Sequence, residues 1–491
     1  MKFKDRLAVI EKLNIWEKEY PVDIWKIQGV HIWPILKMII FFKVHNRSKA
    51  PNVKGLKSSG NLLIIKVIKN VFKKIKAWFI LKSFNIKKVD FLFSGAPSHR
   101  VRWENNQFNR YFDPIADYLE CKGEAAYFLE YKNVDLKSVY KPSRCFDITS
   151  VLPAFSKKIK FDNAIWNDRN VFPEFTSFLE EVVNETDLAE QELKKLLVGN
   201  IQGVLSWAAL YEYFLRKTKA KYIFGLCYYS TAIFGMNLAA RRLGVTPIDM
   251  QHGSQGPLHF AYYFNKTPEN DYNILPKKFW VWDNLSFNNI SNWTINNNHS
   301  AVLGGNPWIQ FLEEKLKDEK LYQECKPMIL FTLQPLNPAI DDYFLEVISL
   351  TCQKYNWWLR LHPRMTKEEF AVLDSKLIDF NIREQVNVEE ASSEPLPLLL
   401  KECSLHVSKY SGSISEAALM NRPSLIIDEI GLKSFKDLVK EKLAFSGLSK
   451  DKARLLQLIE QIITGTNLTI NDETQVPICY KPIIDEFIKE T

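Results

Sequence analysis

An α/β fold of two Rossmann-like, doubly wound units, preceded by a basic and largely helical N-terminal extension, is predicted by three observations. From Val89 onward, short apolar runs alternate with stretches of helical period, the pattern of a parallel sheet with crossover helices. The chain has 491 residues, long for one domain and natural for two α/β units. Three polar turns far apart in sequence each follow an apolar run: Gln251-His252-Gly253, His362-Pro363-Arg364, and Ser411-Gly412-Ser413-Ile414-Ser415-Glu416. Ligands bind outside the carboxyl ends of strands in open α/β sheets, so three such ends point to one cleft.

The extension covers residues 1–88. From Ile24 to Val89 there are fifteen Lys or Arg residues and no Asp or Glu, so of the net charge of +8 the remainder carries 8 − 15 = −7. Within it, residues 61–84 have helical period. Ile64, Ile68, Val71, Phe72, Ile75 and Phe79 share one face, and Lys66, Lys69, Lys73 and Lys76 the opposite one. Such a helix fits an anionic membrane surface, or a packed helix with a solvated lysine face. Nucleic acid is disfavoured, because stacking rings and phosphate-binding lysines must share one surface.

Strands are expected at 89–94, 125–129, 221–225 and 246–250, with a long helical region over 187–217. A second alternating unit is expected from Lys278, with strands at 301–303, 328–332, 357–360, 385–388, 404–407 and 424–427. Its helices are expected near 341–355, 367–379, 395–403, 413–420 and 451–464. The boundaries are 89–265 for the first unit and 266–491 for the second, joined near 254–277.

Composition excludes several classes. The hydrophobic fraction of 46% and charged fraction of 25% are those of a soluble globular protein. Seven scattered cysteines without C-x-x-C argue for a reducing compartment and against a disulfide framework or zinc site. No apolar run reaches the roughly 18 residues of a membrane span, and the start does not read as a secretory leader. There is no P-loop, no G-x-G-x-x-G after the first strand and no H-E-x-x-H; a D-x-D flanked by strands is also missing.

The three turns carry the chemistry. A helix opening at Ser411–Glu416 aims backbone N–H groups at an anion. Ser413 and Ser415 add hydroxyls, and Glu416 offers two acceptor oxygens to a ribose diol. His362 donates to a phosphate oxygen, and Arg364 adds a guanidinium fork. Gly253 permits close ligand approach, and His252 is a base or a phosphate donor. His259 is a weaker second candidate, and Gly304-Gly305-Asn306-Pro307 is a weak phosphate turn.

In this order, Gln-His-Gly, Gly-Asn-Pro, His-Pro and Ser-x-Ser-x-x-Glu-Ala resemble GT-B fold glycosyltransferases. The serine segment here reads Ser411-Gly412-Ser413-Ile414-Ser415-Glu416-Ala417. More narrowly, the chain is similar to bacterial capsule and lipopolysaccharide transferases and to CDP-glycerol glycerophosphotransferases, over roughly 89–465. The resemblance implies an N-terminal acceptor domain and a C-terminal domain holding a nucleotide-activated sugar, with a glycan or lipid-linked acceptor. It implies that His362, Ser413 and Glu416 meet the donor phosphate and nucleotide and that His252 sits at the reacting centre; His252 and His362 are the catalytic candidates, and Gln251, Gly253, Arg364, Ser411, Gly412 and Ser415 the further donor-binding ones. Glu104 and Asp113 rank far behind as bases. No cofactor or metal is expected, and the place of work is the cytoplasmic face of the inner membrane. The usual glycine after the serine-glutamate helix is here Asn421-Arg422, and Asn tolerates a left-handed turn. The rival classes are a glycerophosphotransferase, a nucleotide-sugar epimerase and a non-catalytic phospho-ligand binding protein of the same fold.

Overall fold

The structure is a computed structural model that describes residues 6–47, 62–157, 163–316, 326–465 and 478–490. The chain divides into two compact units. One comprises Met1–Pro307 with Cys479–Thr491, the other Trp308–Ile478.

The first unit opens with α1 (Arg6–Glu19), a two-residue hairpin of β1 (Lys26–Ile27) and β2 (Val30–His31), α2 (Trp33–Arg47) and α3 (Leu62–Ser83). The strands that follow are β3 (Phe91–Gly95), the antiparallel hairpin β4 (Arg100–Trp103) and β5 (Asn106–Asn109), β6 (Ala126–Glu130) and β7 (Cys145–Asp147). Then come β8 (Tyr222–Leu226), β9 (Thr246–Met250), β10 (Lys278–Val281) and β11 (Ser300–Leu303). Its further helices are α4 (Asp113–Cys121), α5 (Phe175–Thr186), α6 (Glu190–Thr218), α7 (Thr231–Arg242) and α8 (Asn284–Thr294). Seven strands pair in the order β11-β10-β9-β8-β3-β6-β7, all parallel. Every residue of β3 and β8 is buried, which is why these strands read as unbroken apolar runs: helices cover both faces.

The second unit starts with α9 (Pro307–Lys315). Its strands are β12 (Met328–Thr332), β13 (Asn356–Arg360), β14 (Val386–Asn387), β15 (Leu405–Ser408), β16 (Ser424–Ile426) and β17 (Ala444–Ser446). They form a six-stranded parallel sheet in the order β14-β13-β12-β15-β16-β17. Between them lie α10 (Asp342–Thr351), α11 (Lys367–Asp379), α12 (Glu389–Ser393), α13 (Leu396–Glu402), α14 (Ser413–Leu419), α15 (Glu429–Ser434), α16 (Lys436–Lys440) and α17 (Lys452–Thr464). The start of α11 is fixed by a full capping box, in which Thr366 and Glu369 each satisfy the other's backbone N–H. Two Rossmann-like units with parallel sheets are the fold class expected from the sequence.

The expected boundaries need correction at three places. First, β10 and β11 extend the first sheet, so that unit runs to Pro307 and not to 265. Each parallel strand adds to a sheet edge through backbone bonds, and the strand–helix rhythm does not say which sheet it joins. Second, α18 (Tyr480–Lys489) belongs to the first unit: Phe487 stacks on Tyr222 with ring centroids 4.6 Å apart, and Tyr480 donates to the Pro114 carbonyl at 3.2 Å. Third, α1 and α2 are core rather than appendage. Trp16, Trp25 and Trp33 are fully buried, the first two meeting Phe178 and Phe175 of α5 edge to face. Glu17, also buried, accepts from the Trp33 indole at 2.6 Å, Lys37 at 3.3 Å and the Asn265 backbone at 2.9 Å. Of the expected amphipathic 61–84 helix, α3 spans Leu62–Ser83; Asn61 and the side chains of Ile64, Lys66, Ile68 and Lys69 lie outside the described residues.

The Gly304-Gly305 turn serves packing. A Cβ on Gly304 would fall 2.1 Å from the Trp280 ring, and the Trp280 indole donates to the Gly305 carbonyl at 2.9 Å. Asn421 does take up the left-handed conformation, with φ 53°. The six described cysteines are free; Cys325 lies outside the described residues.

Candidate active site

In the first sheet the chain leaves β3 toward β6 and β7 on one side and toward β8 to β11 on the other. The switch point is therefore the β3/β8 boundary, where a doubly wound sheet opens its ligand crevice. Cys227 follows β8 directly, in the left-handed conformation at φ 56°, and the turn ends at Ser230, which caps α7 by accepting from the Ile233 N–H. His252 follows β9. These two loop ends bring Cys227 Sγ to 3.1 Å and the Tyr229 hydroxyl to 3.2 Å from His252 Nε2.

On its other side His252 meets a buried chain. Tyr262 donates its hydroxyl proton to Asp249 Oδ2 at 2.9 Å, while Asp249 Oδ1 accepts from the Tyr228 backbone at 3.0 Å. Having given that proton away, the Tyr262 oxygen can only accept from His252 Nδ1, 3.5 Å away. The Cys227 thiol and the Tyr229 hydroxyl, both kept protonated by burial, face Nε2, which fits a lone pair on Nε2 and the ring proton on Nδ1. Burial, and then the Arg110 charge, lower the His252 pKa to about 4, so the ring is neutral and able to take a proton. Burial pushes the Asp249 carboxyl up to about 8, opposed by its bonds from Tyr262 and Tyr228. Burial also raises the Cys227 thiol to about 12, which keeps it protonated and unsuited to be a nucleophile. His99 is buried with Nδ1 unpartnered, and its ring is held well below the ordinary range by burial and then by the charges of Lys132, Arg110 and Arg100.

The other first-unit candidates fall outside this chemistry. Gln251 is fully buried and clamps strand ends: its amide donates to the Gly253 carbonyl at 3.0 Å and to Ser286 at 3.1 Å, and its oxygen accepts from the Trp282 N–H at 2.7 Å. Its side chain is thus committed to holding strand ends together. Gly253 is not in a left-handed conformation, and an added Cβ would meet nothing within 4 Å. His259 packs beside Tyr262 with centroids 4.8 Å apart, and its Nδ1 accepts from the Ala261 N–H. Glu104 is an exposed residue of the β4–β5 turn, and Asp113 is buried in an ion pair with Arg144 at 2.9 Å. Neither is placed to serve as base.

In the second sheet the switch falls between β12 and β15. His362 follows β13, half-buried. Its Nδ1 accepts from the Arg364 backbone at 3.1 Å, so the ring proton sits on Nε2, which can donate. Burial and the Arg364 charge lower its pKa to about 4. The Arg364 side chain is exposed.

The serine segment follows β15 and opens α14. Ser411 accepts from the Ser413 N–H at 3.3 Å; Ser411, Gly412, Ser415 and Glu416 are half-buried, with Glu416 in the first turn. Ser413 differs from its expected role. It is buried, and its hydroxyl lies 2.8 Å from Thr332 Oγ1, which also meets His406 Nε2 at 2.9 Å and Ser408 Oγ at 3.1 Å. The hydroxyl faces the sheet, so its partner is β12 and not a phosphate. His406, fully buried and held at a pKa of about 3 by that burial, completes the network through Ser424 at 2.8 Å. Among the described residues, no group of three or more His, Cys, Asp or Glu could hold a metal ion.

Sequence reasoning missed Asp249, Tyr262, Tyr229 and Cys227. One signal was available for Asp249: an acid inside the otherwise apolar run Pro247-Ile248-Asp249-Met250.

No family model matches this chain, and no curated protein matches it. Solved structures do. The UDP-GlcNAc 2-epimerase from Neisseria meningitidis bound to UDP-GlcNAc aligns at 15% identity and TM-score 0.49, over 82% of this chain and 99% of the other. The glycosyltransferase VinC in complex with DTDP aligns at 11% identity and TM-score 0.45, over 81% and 98%. The wall teichoic acid polymerase TagF aligns at 10% identity and TM-score 0.44, over 88% and 98%. These chains transfer no residue role to this one; the two parallel sheets carry the fold assignment.

Proposed function

We propose that this protein is a metal-independent glycosyltransferase of GT-B type. It moves a sugar from a nucleotide-activated donor to a growing bacterial surface glycan, capsule or O-antigen, at the cytoplasmic face of the inner membrane. The observation that carries the reading is His252 Nε2, a lone-pair nitrogen at the first switch point, backed through Tyr262 by Asp249. In this reading an acceptor hydroxyl takes the place of the Tyr229 hydroxyl and gives its proton to Nε2. The imidazolium that forms donates through Nδ1–H to the Tyr262 oxygen, whose own hydroxyl is held by Asp249. The donor belongs to the second unit. His362 Nε2–H and Arg364 stabilise the charge that builds on the departing phosphate, the backbone of residues 411–416 lies beside it, and Glu416 accepts from the ribose.

Nucleotide titration calorimetry beside a transfer assay tests this division. Glu416→Ala should weaken nucleotide binding. His252→Ala should leave nucleotide affinity nearly intact and lower the rate by roughly 10²–10⁴-fold, the usual worth of a general base. The opposite pattern places the donor in the wrong unit. A second reading, a glycerophosphotransferase using CDP-glycerol, uses the same groups and is separated by which donor supports turnover. Turnover of a soluble UDP-sugar without acceptor would mark an epimerase instead.

A further inference from the structure

Over the described side chains of α3, residues 71–83, contact with the first unit runs along one edge. Ala77 and Leu81 are buried, Trp78 meets Phe155 with ring centroids 6.0 Å apart, and Phe84 just beyond it packs on Phe146 and Phe214. Among the described residues, five apolar side chains of α3 are exposed. Val71 is 51% exposed, Phe72 67%, Ile75 48%, Trp78 48% and Phe79 71%. At 100° per residue these five fall within an arc of about 120°. The arc is separate from the Ala77–Leu81 edge. Lys76 borders it on one side and Lys74 on the other, both exposed. Contiguous exposed apolar surface of this kind marks an interaction site, and its surroundings say of what chemistry. The described side chains of α3 include the exposed Lys73, Lys74, Lys76 and Lys82 and no acid. A protein partner for such a stretch would have to present an apolar strip flanked by acids on both sides. A bilayer with anionic headgroups presents both features at once, apolar acyl chains below a sheet of negative charge. Trp78, half covered by Phe155, stands at the edge of the arc, where an indole favours the headgroup level.

We propose that the Val71–Phe79 face of α3 docks the protein on an anionic lipid surface, lying in the interface plane with its rings in the acyl boundary and its lysines among the headgroups. The inference adds the place of work to the acceptor half of the reading above, and docking can be measured with no sugar donor present. Among the described residues no helix is long and apolar enough to cross a membrane, so α3 lies on the surface in this account.

The test is flotation of the full chain with vesicles of phosphatidylcholine alone and of phosphatidylcholine with phosphatidylglycerol, at low and high salt. The parent should float with the phosphatidylglycerol vesicles and be released by salt. Phe72→Ala/Phe79→Ala and, separately, Lys73→Glu/Lys74→Glu/Lys76→Glu should each weaken partitioning by about tenfold or more. Their thermal melts and nucleotide affinity should be unchanged, because the altered side chains are exposed. Binding to both vesicle types alike, or equal binding by parent and variants, overturns the proposal. So does a parent that ignores vesicles while sedimentation equilibrium shows a dimer that the Phe72→Ala/Phe79→Ala variant dissolves. Vesicle binding without sugar transfer from any nucleotide donor would sink the glycosyltransferase reading and leave the docking face standing.

Discussion

The imidazoles of His252 and His362 both follow a strand of a parallel sheet, and their environments are opposite. His252 is held by side chains alone: two tyrosines, a thiol and, through Tyr262, a buried carboxyl. His362 is held by one backbone N–H two residues on, with an exposed guanidinium beside it. The same burial-driven fall in pKa therefore has two meanings. At His252 it leaves a lone pair facing inward, with a route for the charge that a proton would bring. At His362 it leaves a donor N–H on Nε2 with no such route, which suits holding an anion and not moving a proton.

The contrast breaks most readily on the second-unit side. His362→Ala should cost about 1–3 kcal/mol of transition-state stabilisation, the worth of a charge-assisted donor, with an unchanged melting temperature. Ser413→Ala should do the reverse. Its hydroxyl belongs to the Thr332–His406 network, so the loss should appear as about 1–3 kcal/mol in urea unfolding and leave nucleotide affinity nearly unaltered. A Ser413→Ala protein of full stability that has lost its nucleotide would return this residue to the ligand.

On the first-unit side, Tyr262→Phe should lower the transfer rate by about 1–2 kcal/mol in barrier terms, smaller than removal of the base itself. It should also shift the acid limb of the rate profile, because the Nδ1–H then lacks its oxygen. An unchanged pH profile would reduce Tyr262 to a packing residue.

The smallest effect is in the pH dependence of stability. His252 and His362 titrate near 4 when folded and His406 near 3, against an ordinary value of 6.5. His99 and His259 are lowered in the same direction. Between those values the unfolded chain binds protons that the folded chain does not, so stability falls as pH drops from 6.5. Asp249 acts oppositely. Raised to about 8, it contributes stability that is present at acid pH and lost as pH rises through 8. Urea midpoints at pH 5 and pH 7 should therefore rise with pH, and Asp249→Asn should steepen that rise. A flat profile in both proteins would mean that these imidazoles are protonated in the fold.

The alternation of apolar runs was enough to read strands such as 328–332 and helices such as α11, whose bounds at Lys367–Asp379 match the expected ones. Membership was not legible. β10 and β11 look no different from the strands of the second sheet, because edge pairing is a backbone property without a side-chain signature. Trp16, Trp25 and Trp33 lie in the stretch expected as a charged extension, although burying these three indoles is what fixes that segment to the first unit. At the site, residues followed by a turn signal stood out, while Tyr229 and Tyr262 looked like core aromatics, since their one polar atom acts only after tertiary packing has aimed it.

The return of α18 to the first unit makes the second unit an insertion. All of residues 308–478 are synthesised before Tyr222 and Trp280 receive Phe487. On the ribosome the inserted unit can close while its host still shows an aromatic gap, which α18 fills only after residues 308–478 have been made. Truncation at residue 478 should accordingly loosen the first unit and leave the second one folded, a polarity that hydrogen exchange would display strand by strand.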